Sequence, residues 1–311
     1  MINQEQPLVS ICCLTYNHAA FVAECLEGFL MQQTNFGVEI LVHDDASTDG
    51  TEEIIRSYAE KYPEKIFPLY EEENQYSKGL NVLMDYEYNY SRARGKYIAY
   101  CEGDDYWTDP LKLQKQIDFM ESHSEYSVCF HRCTHLYAQT GKTEEDKCGE
   151  YFKNGEDGQD ITLEMFFKSW ITQPLTMVFR KSLFTLEWYK KYKYYRDMHE
   201  IYHLLNVGKG YLFGFNGGVY RYHSGGIHSM LSRKDFCNVS LPIDREFYQV
   251  SPSIYSKRVY CSTLQECFLL YAGESRRKAL KYWLEYARVS EDWKRVIKFF
   301  WLIMKKGNVR Q

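Results

Sequence analysis

Residues 96–107 read KYIAYCEGDDYW, an apolar segment that runs into a cluster of acids. Lys96–Cys101 is typical of a strand, and the turn that follows it is polar. Upstream, further apolar strands alternate with stretches of helical spacing. The predicted strands lie at 9–14, 38–42, 65–70 and 96–101, and the predicted helices at 19–33, 49–63, 78–93 and 109–122. This order predicts an α/β fold with a mostly parallel sheet and helices on both faces.

Two of the predicted helices carry start signals. Asp49, with Glu52 three residues later, resembles a capping box, and Asp109-Pro110 resembles an N-cap followed by proline at the first helical position. Residues 137–160 are polar and contain glycine, which predicts an exposed loop. The pattern predicts another strand at 211–222 and helices from about residue 254 to 304.

Acidic residues follow two of the predicted strands. Asp44 and Asp45 follow the second strand, and Glu102, Asp104 and Asp105 follow the fourth. In an open parallel sheet, ligands bind beyond the carboxyl ends of the strands. Carboxylates so close together repel unless a cation neutralises them, and oxygen ligands favour Mg²⁺ or Mn²⁺. Because the chain contains neither GxxxxGK[ST] nor GxGxxG, a bound ion would have to neutralise a diphosphate.

Three strand-end motifs carry a family resemblance: VSICCLTYN at 9–17, VHDDASTDG at 42–50 and CEGDDYW at 101–107. Over roughly residues 7–230 the chain resembles the family 2 glycosyltransferases, which have the GT-A fold with a Rossmann-like sheet. The resemblance implies an inverting transfer of a sugar from a nucleotide diphosphate-sugar, with UDP as the expected nucleotide, assisted by Mn²⁺ or Mg²⁺. It implies a catalytic domain at 1–230 and leaves 231–311 as a C-terminal helical region.

The resemblance also implies roles for individual residues. Asp197, in Arg196-Asp197-Met198-His199, would be the general base. Metal ligands would be Asp104, Glu102 and His223, with Glu102 at the first position of the family's Asp-x-Asp motif. The nucleotide-sugar would contact nine residues: Thr15, Tyr16, Asn17, Asp44, Asp45, Asp104, Trp107, Arg221 and His223. Inversion is a single displacement at the anomeric carbon, so one carboxylate must remove the acceptor's proton while charge on the leaving diphosphate is neutralised.

Two other functions stay open. A sugar nucleotidyltransferase would use a similar sheet, but it would need a basic, glycine-rich loop where this chain has Thr15-Tyr-Asn-His18. The second alternative is a catalytically inactive relative that binds carbohydrate or nucleotide. The expected acceptor is a saccharide or a lipid-linked molecule, in keeping with bacterial polysaccharide biosynthesis.

Cysteine usage and the first residues predict a reduced, cytoplasmic protein. Neither a signal sequence nor an apolar run near 18 residues is present. Ten cysteines in such a chain are expected to be free thiols. Cys129, His131, Cys133 and His135 alternate along one predicted strand, and four groups in a line cannot surround a tetrahedral zinc ion.

The C-terminal segment is strongly basic. Residues 276–310 contain eleven Lys or Arg and three Asp or Glu, a net charge of +8 in a chain of net charge −4. An acidic body with a basic tail argues against a nucleic-acid partner. Residues 290–306 place Trp293, Val296, Ile297, Phe300 and Met304 at helical spacing beside a basic face. Such a helix can lie on the inner face of the cell membrane, or pack on its own domain or on a second copy in a homo-oligomer.

Overall fold

The computed structural model describes residues 6–78, 85–152, 157–168, 170–225 and 232–306. Within these ranges the chain forms two compact units. The first contains the residues up to Lys190 together with Tyr195–Gly225. The second contains Lys191–Tyr194 and the described residues from 232 onward.

The described residues of the first unit are built on one mixed sheet of ten strands. In chain order the strands are β1 Val9–Thr15, β2 Val38–Asp44, β3 Ile66–Tyr70, β4 Tyr97–Tyr100, β5 Tyr106–Trp107, β6 Tyr126–Tyr137, β7 Lys142–Glu145, β8 Gly158–Ile161, β9 Val178–Arg180 and β10 Lys209–Tyr222. The order across the sheet is β3-β2-β1-β4-β9-β6-β10-β5, with β7 on β6 and β8 on β10. β3, β2, β1 and β4 pair in parallel, as predicted, and β10 is parallel to β6.

Within the described part of the chain, ten α-helices accompany the strands. They are α1 Val22–Leu30, α2 Thr51–Lys61, α3 Lys112–Ser122, α4 Leu163–Lys168, α5 Leu186–Tyr189, α6 Asp197–Val207, α7 Arg233–Val250, α8 Ile254–Tyr271, α9 Arg276–Val289 and α10 Trp293–Lys306. A π-helical segment at Asp85–Tyr90 occupies part of the helix predicted at 78–93. Residues 79–84 of that prediction lie outside the described residues.

Both predicted helix starts are displaced in the structure. The N-cap of α2 is Gly50, whose φ of 101° is left-handed, and no side chain caps the helix. The carboxylate of Asp49 instead accepts hydrogen bonds from the amide and hydroxyl of Thr51. The helix after Pro110 begins only at Lys112 with Leu111 as its N-cap, because Asp109 turns the chain by accepting the amide of Leu111.

The prediction of an exposed loop over residues 137–160 is wrong. β7 forms an antiparallel ladder with the end of β6, and β8 adds an antiparallel edge strand to β10. All four residues of β7 are exposed, so this strand lacks the apolar alternation by which a half-buried strand is recognised.

The core of the first unit lies on both faces of the parallel strands and brings helices close to the strand ends. Trp107, on β5, is 2% exposed and stacks edge-on against Phe29 of α1. A Cβ on Gly28 would lie 2.9 Å from the backbone nitrogen of Trp107, so glycine permits this close packing. The ammonium of Lys112 lies 3.7 Å from the centre of the Trp107 ring. Burial lowers the pKa of Lys112 to about 7.

None of the ten cysteines, all of which lie in the described residues, forms a disulfide, as predicted. As predicted, β6 contains the row Cys129, His131, Cys133 and His135. Among the described residues, the side chains close enough to hold an ion do not include this row.

The second unit is helical. α7, α8, α9 and α10 surround a core that includes Leu264, Phe268 and Tyr286. From α10, Val296 and Phe299 pack into this core. Trp293, Ile297 and Trp301 of the same helix are 66%, 56% and 60% exposed, so the predicted apolar stripe is divided between core and solvent. The side chain of Met304 lies outside the described residues. No helix in the described part of the chain is long and apolar enough to span a bilayer.

Candidate functional site

The carboxyl ends of three parallel strands place the predicted residues along one edge of the sheet. β1 lies between β2 and β4, and Thr15 at its end is directly opposite Asp44 at the end of β2. The amide of Gly103, in the acidic turn after β4, donates to the carbonyl of Leu14. The three motifs that were separate in sequence therefore meet at this edge, as the β-α-β-α order predicted.

Asp44 organises the first part of this edge. Its Oδ1 accepts hydrogen bonds from the hydroxyls of Thr15 at 2.8 Å and Ser47 at 2.7 Å, and its Oδ2 accepts the amide of Ser47 at 3.0 Å. The carboxylate is buried. These bonds hold the turn after β2 in a fixed conformation beside the end of β1.

Asn17 and the turn after β2 are latched together. The amide of Asn17 donates to Ser47 Oγ at 2.8 Å, and the amide of Thr48 donates to Asn17 Oδ1 at 2.9 Å. Asn17 and Ala46 have φ values of 55° and 59°, in the left-handed region that non-glycine residues rarely adopt. The exposed ring of Tyr16 lies beside this latch in sequence.

Asp45, expected to contact the donor, is turned toward the protein. Its side chain is buried, and its two carboxylate oxygens accept the amides of Gln75 at 2.6 Å and Tyr76 at 3.1 Å. Its role in the structure is to fix the segment that follows β3.

Asp104 is the centre of the second part of the edge. Its Oδ2 lies 2.9 Å from Nε2 of His223 and 3.7 Å from Nε2 of His18. Burial alone would raise the pKa of Asp104, but the hydrogen bond from His223 and the charges of both histidines lower it. The carboxylate therefore stays ionised. Its buried Oδ1 has no hydrogen-bond partner among the described residues.

Two overlapping groups of side chains could hold an ion around Asp104. One is His18, Asp104 and His223; the other is Glu102, Asp104 and Asp105, and within each group the ligand atoms lie within 4.8 Å of one another. Burial, and then the charge of Asp104, raise the pKa of Asp105 well above its usual range. Carboxylate oxygens and imidazole nitrogens are ligands for divalent ions, and the free Oδ1 of Asp104 leaves a position for one. The residues present therefore fit the metal that the family resemblance implies.

Arg221, which was expected to contact the donor, makes contacts with other residues of the protein. Its guanidinium donates to the carbonyl of Asp104 and to Glu24 Oε2 at 2.5 Å, and it is stacked against the rings of Phe21 and Tyr106. Its amide donates to Asp105 Oδ1 at 2.8 Å. Only 5% of the residue is exposed. Arg221 thus fastens β10 to the acidic turn.

Trp107, which was also expected to contact the donor, is packed in the core of the first unit. Its indole nitrogen donates to the carbonyl of Leu175 at 2.8 Å, and the ring is packed as described above. The ring is buried, and its expected contact with a sugar-nucleotide stays a prediction.

Asp197 lies at the start of α6, and no hydrogen bond or ion pair among the described residues joins it to the Asp104 cluster. Its Oδ1 accepts the amide of Met198 at 2.8 Å. Burial raises the pKa of Asp197, which makes its carboxylate a better proton acceptor than an exposed aspartate.

His18 was not among the predicted site residues. It follows Asn17 in the first motif, and only its side-chain type and its place after a strand end could have indicated it. Its approach to Asp104 joins residues 86 positions apart in the chain, which local patterns do not reveal.

Comparison with known proteins identifies the family to which the chain belongs. The sequence model of glycosyl transferase family 2 matches residues 10–185, more than half of the chain. TuaG of Bacillus subtilis, named as a teichuronic acid biosynthesis glycosyltransferase, is 36% identical over 119 residues, which are 38% of this chain and 44% of TuaG. The chain spans less than half the length of the curated relatives it matches.

Solved structures share the fold. TarS 1–349 of S. aureus, in complex with UDP-GlcNAc, is similar with a TM-score of 0.63 and 17% identity over 96% of this chain and 88% of that one. The mannosyltransferase PcManGT of Pyrobaculum calidifontis, in complex with GDP-Man and Mn²⁺, has a TM-score of 0.51 and 14% identity over 99% of this chain and 89% of that one. The predicted GT-A fold is confirmed, and the chain belongs to the family 2 glycosyltransferases.

Proposed function

We propose that the chain transfers a sugar, with inversion, from a nucleotide diphosphate-sugar to a hydroxyl group of a saccharide or lipid-linked acceptor. The observation that carries the proposal is the meeting of Asp44, at the end of β2, and Asp104, in the turn after β4, on one edge of the parallel sheet. A sugar-nucleotide bound along this edge would have its base toward Asp44 and its diphosphate toward Asp104.

The donor half of the site is formed by the latch between Asn17 and the turn after β2. Thr15, Tyr16 and Asn17 would line the nucleotide pocket, and Asp44 would accept a hydrogen bond from the base. The UDP-GlcNAc bound to TarS supports a nucleotide-sugar donor and makes UDP the first nucleotide to test.

Asp104 and His223 would hold Mn²⁺ or Mg²⁺, with Glu102 on the acidic side of the cluster. When bound, such an ion neutralises charge on a leaving diphosphate. The Mn²⁺ in the PcManGT complex supports this assignment. Arg221 contributes by position, because its bonds to Asp104 and Asp105 keep the acidic turn in place.

Asp197 would be the general base. Its carboxylate would take the proton of the acceptor hydroxyl while the hydroxyl oxygen forms a bond to the anomeric carbon. The bond from that carbon to the diphosphate oxygen breaks in the same step, and the nucleoside diphosphate leaves with the electron pair. The pKa of Asp197, raised by burial, suits this proton transfer.

The exposed face of α10 is proposed as a peripheral membrane contact. Trp293, Ile297 and Trp301 are exposed along one side of the helix, and Lys294 and Lys298 lie beside them. An apolar face with flanking cations suits an anionic bilayer surface, where a lipid-linked acceptor would lie. The name of TuaG, a teichuronic acid biosynthesis glycosyltransferase, agrees with a role in bacterial polysaccharide biosynthesis.

The proposed function is tested by a screen of UDP- and GDP-sugars for thermal stabilisation and for hydrolysis in the presence of Mn²⁺. We expect one donor to stabilise the protein and to release its nucleoside diphosphate slowly, both only with the ion. Pyrophosphate formed from a nucleoside triphosphate and a sugar phosphate would instead indicate a nucleotidyltransferase. Binding without turnover, with every acceptor tested, would indicate an inactive relative.

A further inference from the structure

We propose that His18 is a ligand of the bound ion, so that two imidazoles and one carboxylate select a transition-metal ion over Mg²⁺. The inference extends the proposed function, on which it rests, by adding a residue from the first motif to the expected Asp104 and His223. The chemical class of the ion is a divalent transition metal such as Mn²⁺ or Co²⁺.

The backbone of His18 is fixed on both sides. Its amide donates to Thr51 Oγ1 at 2.8 Å, and its carbonyl accepts the amides of Phe21 and Val22, both at 2.8 Å, where α1 begins. The backbone that carries the imidazole is therefore held at the start of two helices, and little backbone ordering is needed when an ion binds.

The acidic turn leaves space for this imidazole. A Cβ on Gly103 would lie 3.0 Å from His18 Nδ1 and 2.4 Å from Thr15 Cγ2. Nδ1 of His18 is buried and has no hydrogen-bond partner among the described residues. A mostly buried imidazole with an unpartnered nitrogen requires an explanation, and coordination of an ion through its other nitrogen would supply one.

The distances around Asp104 are those of neighbouring ligand atoms. Atoms that share an octahedral ion with bonds of about 2.1 Å lie about 3 Å apart. His223 Nε2 is 2.9 Å from Asp104 Oδ2, and His18 Nε2 is 3.7 Å from the same oxygen. The 3.7 Å separation is too long for a hydrogen bond, but it is close enough for one ion to contact both atoms after a small movement.

The donor types determine the selectivity. Mg²⁺ favours carboxylate, carbonyl and water oxygens, whereas imidazole nitrogen favours later first-row metals. An all-oxygen site on Glu102, Asp104 and Asp105 would accept Mg²⁺, while a site that includes His18 and His223 would discriminate against it.

The test uses the full chain with UDP and Mn²⁺ as the probe. Pulsed electron paramagnetic resonance on protein labelled with ¹⁵N-histidine counts the imidazole nitrogens coupled to Mn²⁺. We expect two in the wild type and one in His18→Asn. We also expect His18→Asn to lower the affinity for Mn²⁺ about 10–100-fold and the affinity for Mg²⁺ less than threefold.

His123→Asn is the matched control, because His123 is exposed on the surface and makes its ring contacts with Phe119 and Tyr126. Thermal unfolding checks that each variant is folded, and the nitrogen count in the wild type requires no variant. One coupled nitrogen in the wild type, with unchanged Mn²⁺ affinity in His18→Asn, would overturn the role of His18 and leave the proposed function intact. If wild-type protein binds no Mn²⁺ with UDP, both the inference and the proposed metal-assisted donor site are wrong.

Discussion

Nε2 of His223 lies 2.9 Å from Oδ2 of Asp104, and this contact joins the end of β10 to the turn after β4. The two residues are 119 positions apart in sequence, yet both were expected at the metal. Phe21 packs against the His223 ring at 4.7 Å and holds it toward the carboxylate. The geometry of the candidate metal site therefore depends on strand pairing across the sheet.

Asp104→Ala is expected to abolish metal-dependent nucleotide binding. Without this carboxylate, a diphosphate would face Glu102 and Asp105 with no ion to separate the charges. Calorimetry of UDP with and without Mn²⁺ measures the effect. Asp118→Ala, which removes an exposed carboxylate of α3, is the control and should bind as the wild type does. Equal affinity of the wild type with and without Mn²⁺ would contradict the metal assignment.

Asp197→Asn is expected to leave nucleotide affinity nearly unchanged and to lower sugar transfer about 10²–10⁴-fold, the usual contribution of a general base. The amide keeps the size of the side chain but cannot take the acceptor's proton. Initial rates with saturating donor measure the effect. Asp235→Asn changes an exposed acid in the first turn of α7 and serves as the control. Transfer at the wild-type rate would exclude Asp197 as the base.

Lys112→Met is expected to stabilise the first unit most at neutral and lower pH. Lys112 is protonated in the unfolded chain up to about pH 10.4 but loses its proton at about pH 7 in the folded state. Between these values the unfolded state binds the additional proton, so the wild-type free energy of unfolding rises with pH. The advantage of the variant should therefore shrink by about 2 kcal/mol between pH 7 and pH 9.

Urea unfolding at several pH values measures this difference. Lys65→Met, at an exposed position, is the control and should show no such dependence. A difference between wild type and Lys112→Met that is the same at pH 7 and pH 9 would mean that Lys112 stays protonated in the folded protein, held by the Trp107 ring.

Replacement of Ile297 and Trp301 by serine is expected to abolish binding to anionic vesicles, because both side chains are exposed on the proposed contact face. Lys294→Glu with Lys298→Glu should weaken binding at least tenfold, since each cation contributes about 1 kcal/mol near such a surface. Sedimentation with phosphatidylglycerol vesicles measures both. Val207→Ser removes an exposed apolar residue of the first unit and is the control. If the wild type does not sediment with these vesicles, the membrane contact is wrong.

These substitutions are preferable to a truncation of α10. Val296 and Phe299 belong to the core of the second unit, so removal of the helix would expose Phe268 and Tyr286. A truncated protein could lose vesicle binding simply because the unit unfolds.

The sequence predicted the strands that position the site because their signal is local. β1, β2 and β4 are mostly apolar, and a polar turn follows each of them. β7 escaped prediction because its side chains are all exposed. Gly50 at the start of α2 was missed because the left-handed φ of 101° satisfies the turn without a side-chain cap.

Residue types were predicted better than side-chain directions. Trp107 and Arg221 occur where the family motifs place them, but the indole points into the core and the guanidinium bonds to Glu24. Period-two alternation gives the face of a strand residue only while the strand stays regular. β5 is two residues long, and β10 contains shifts in its register with β6. At such places the direction of a side chain depends on contacts between distant segments.

The latch between Asn17 and Ser47 has a thermodynamic consequence for donor recognition. The turns after β1 and β2 already hold their backbone conformation through three hydrogen bonds, so nucleotide binding should cost little conformational entropy on that side. The residues around Asp104 lie on separate elements, the loop after β1, the turn after β4 and the end of β10. A change of donor sugar would therefore require replacement only of side chains around Asp104. The turns after β1 and β2, which are proposed to hold the base, would stay unchanged.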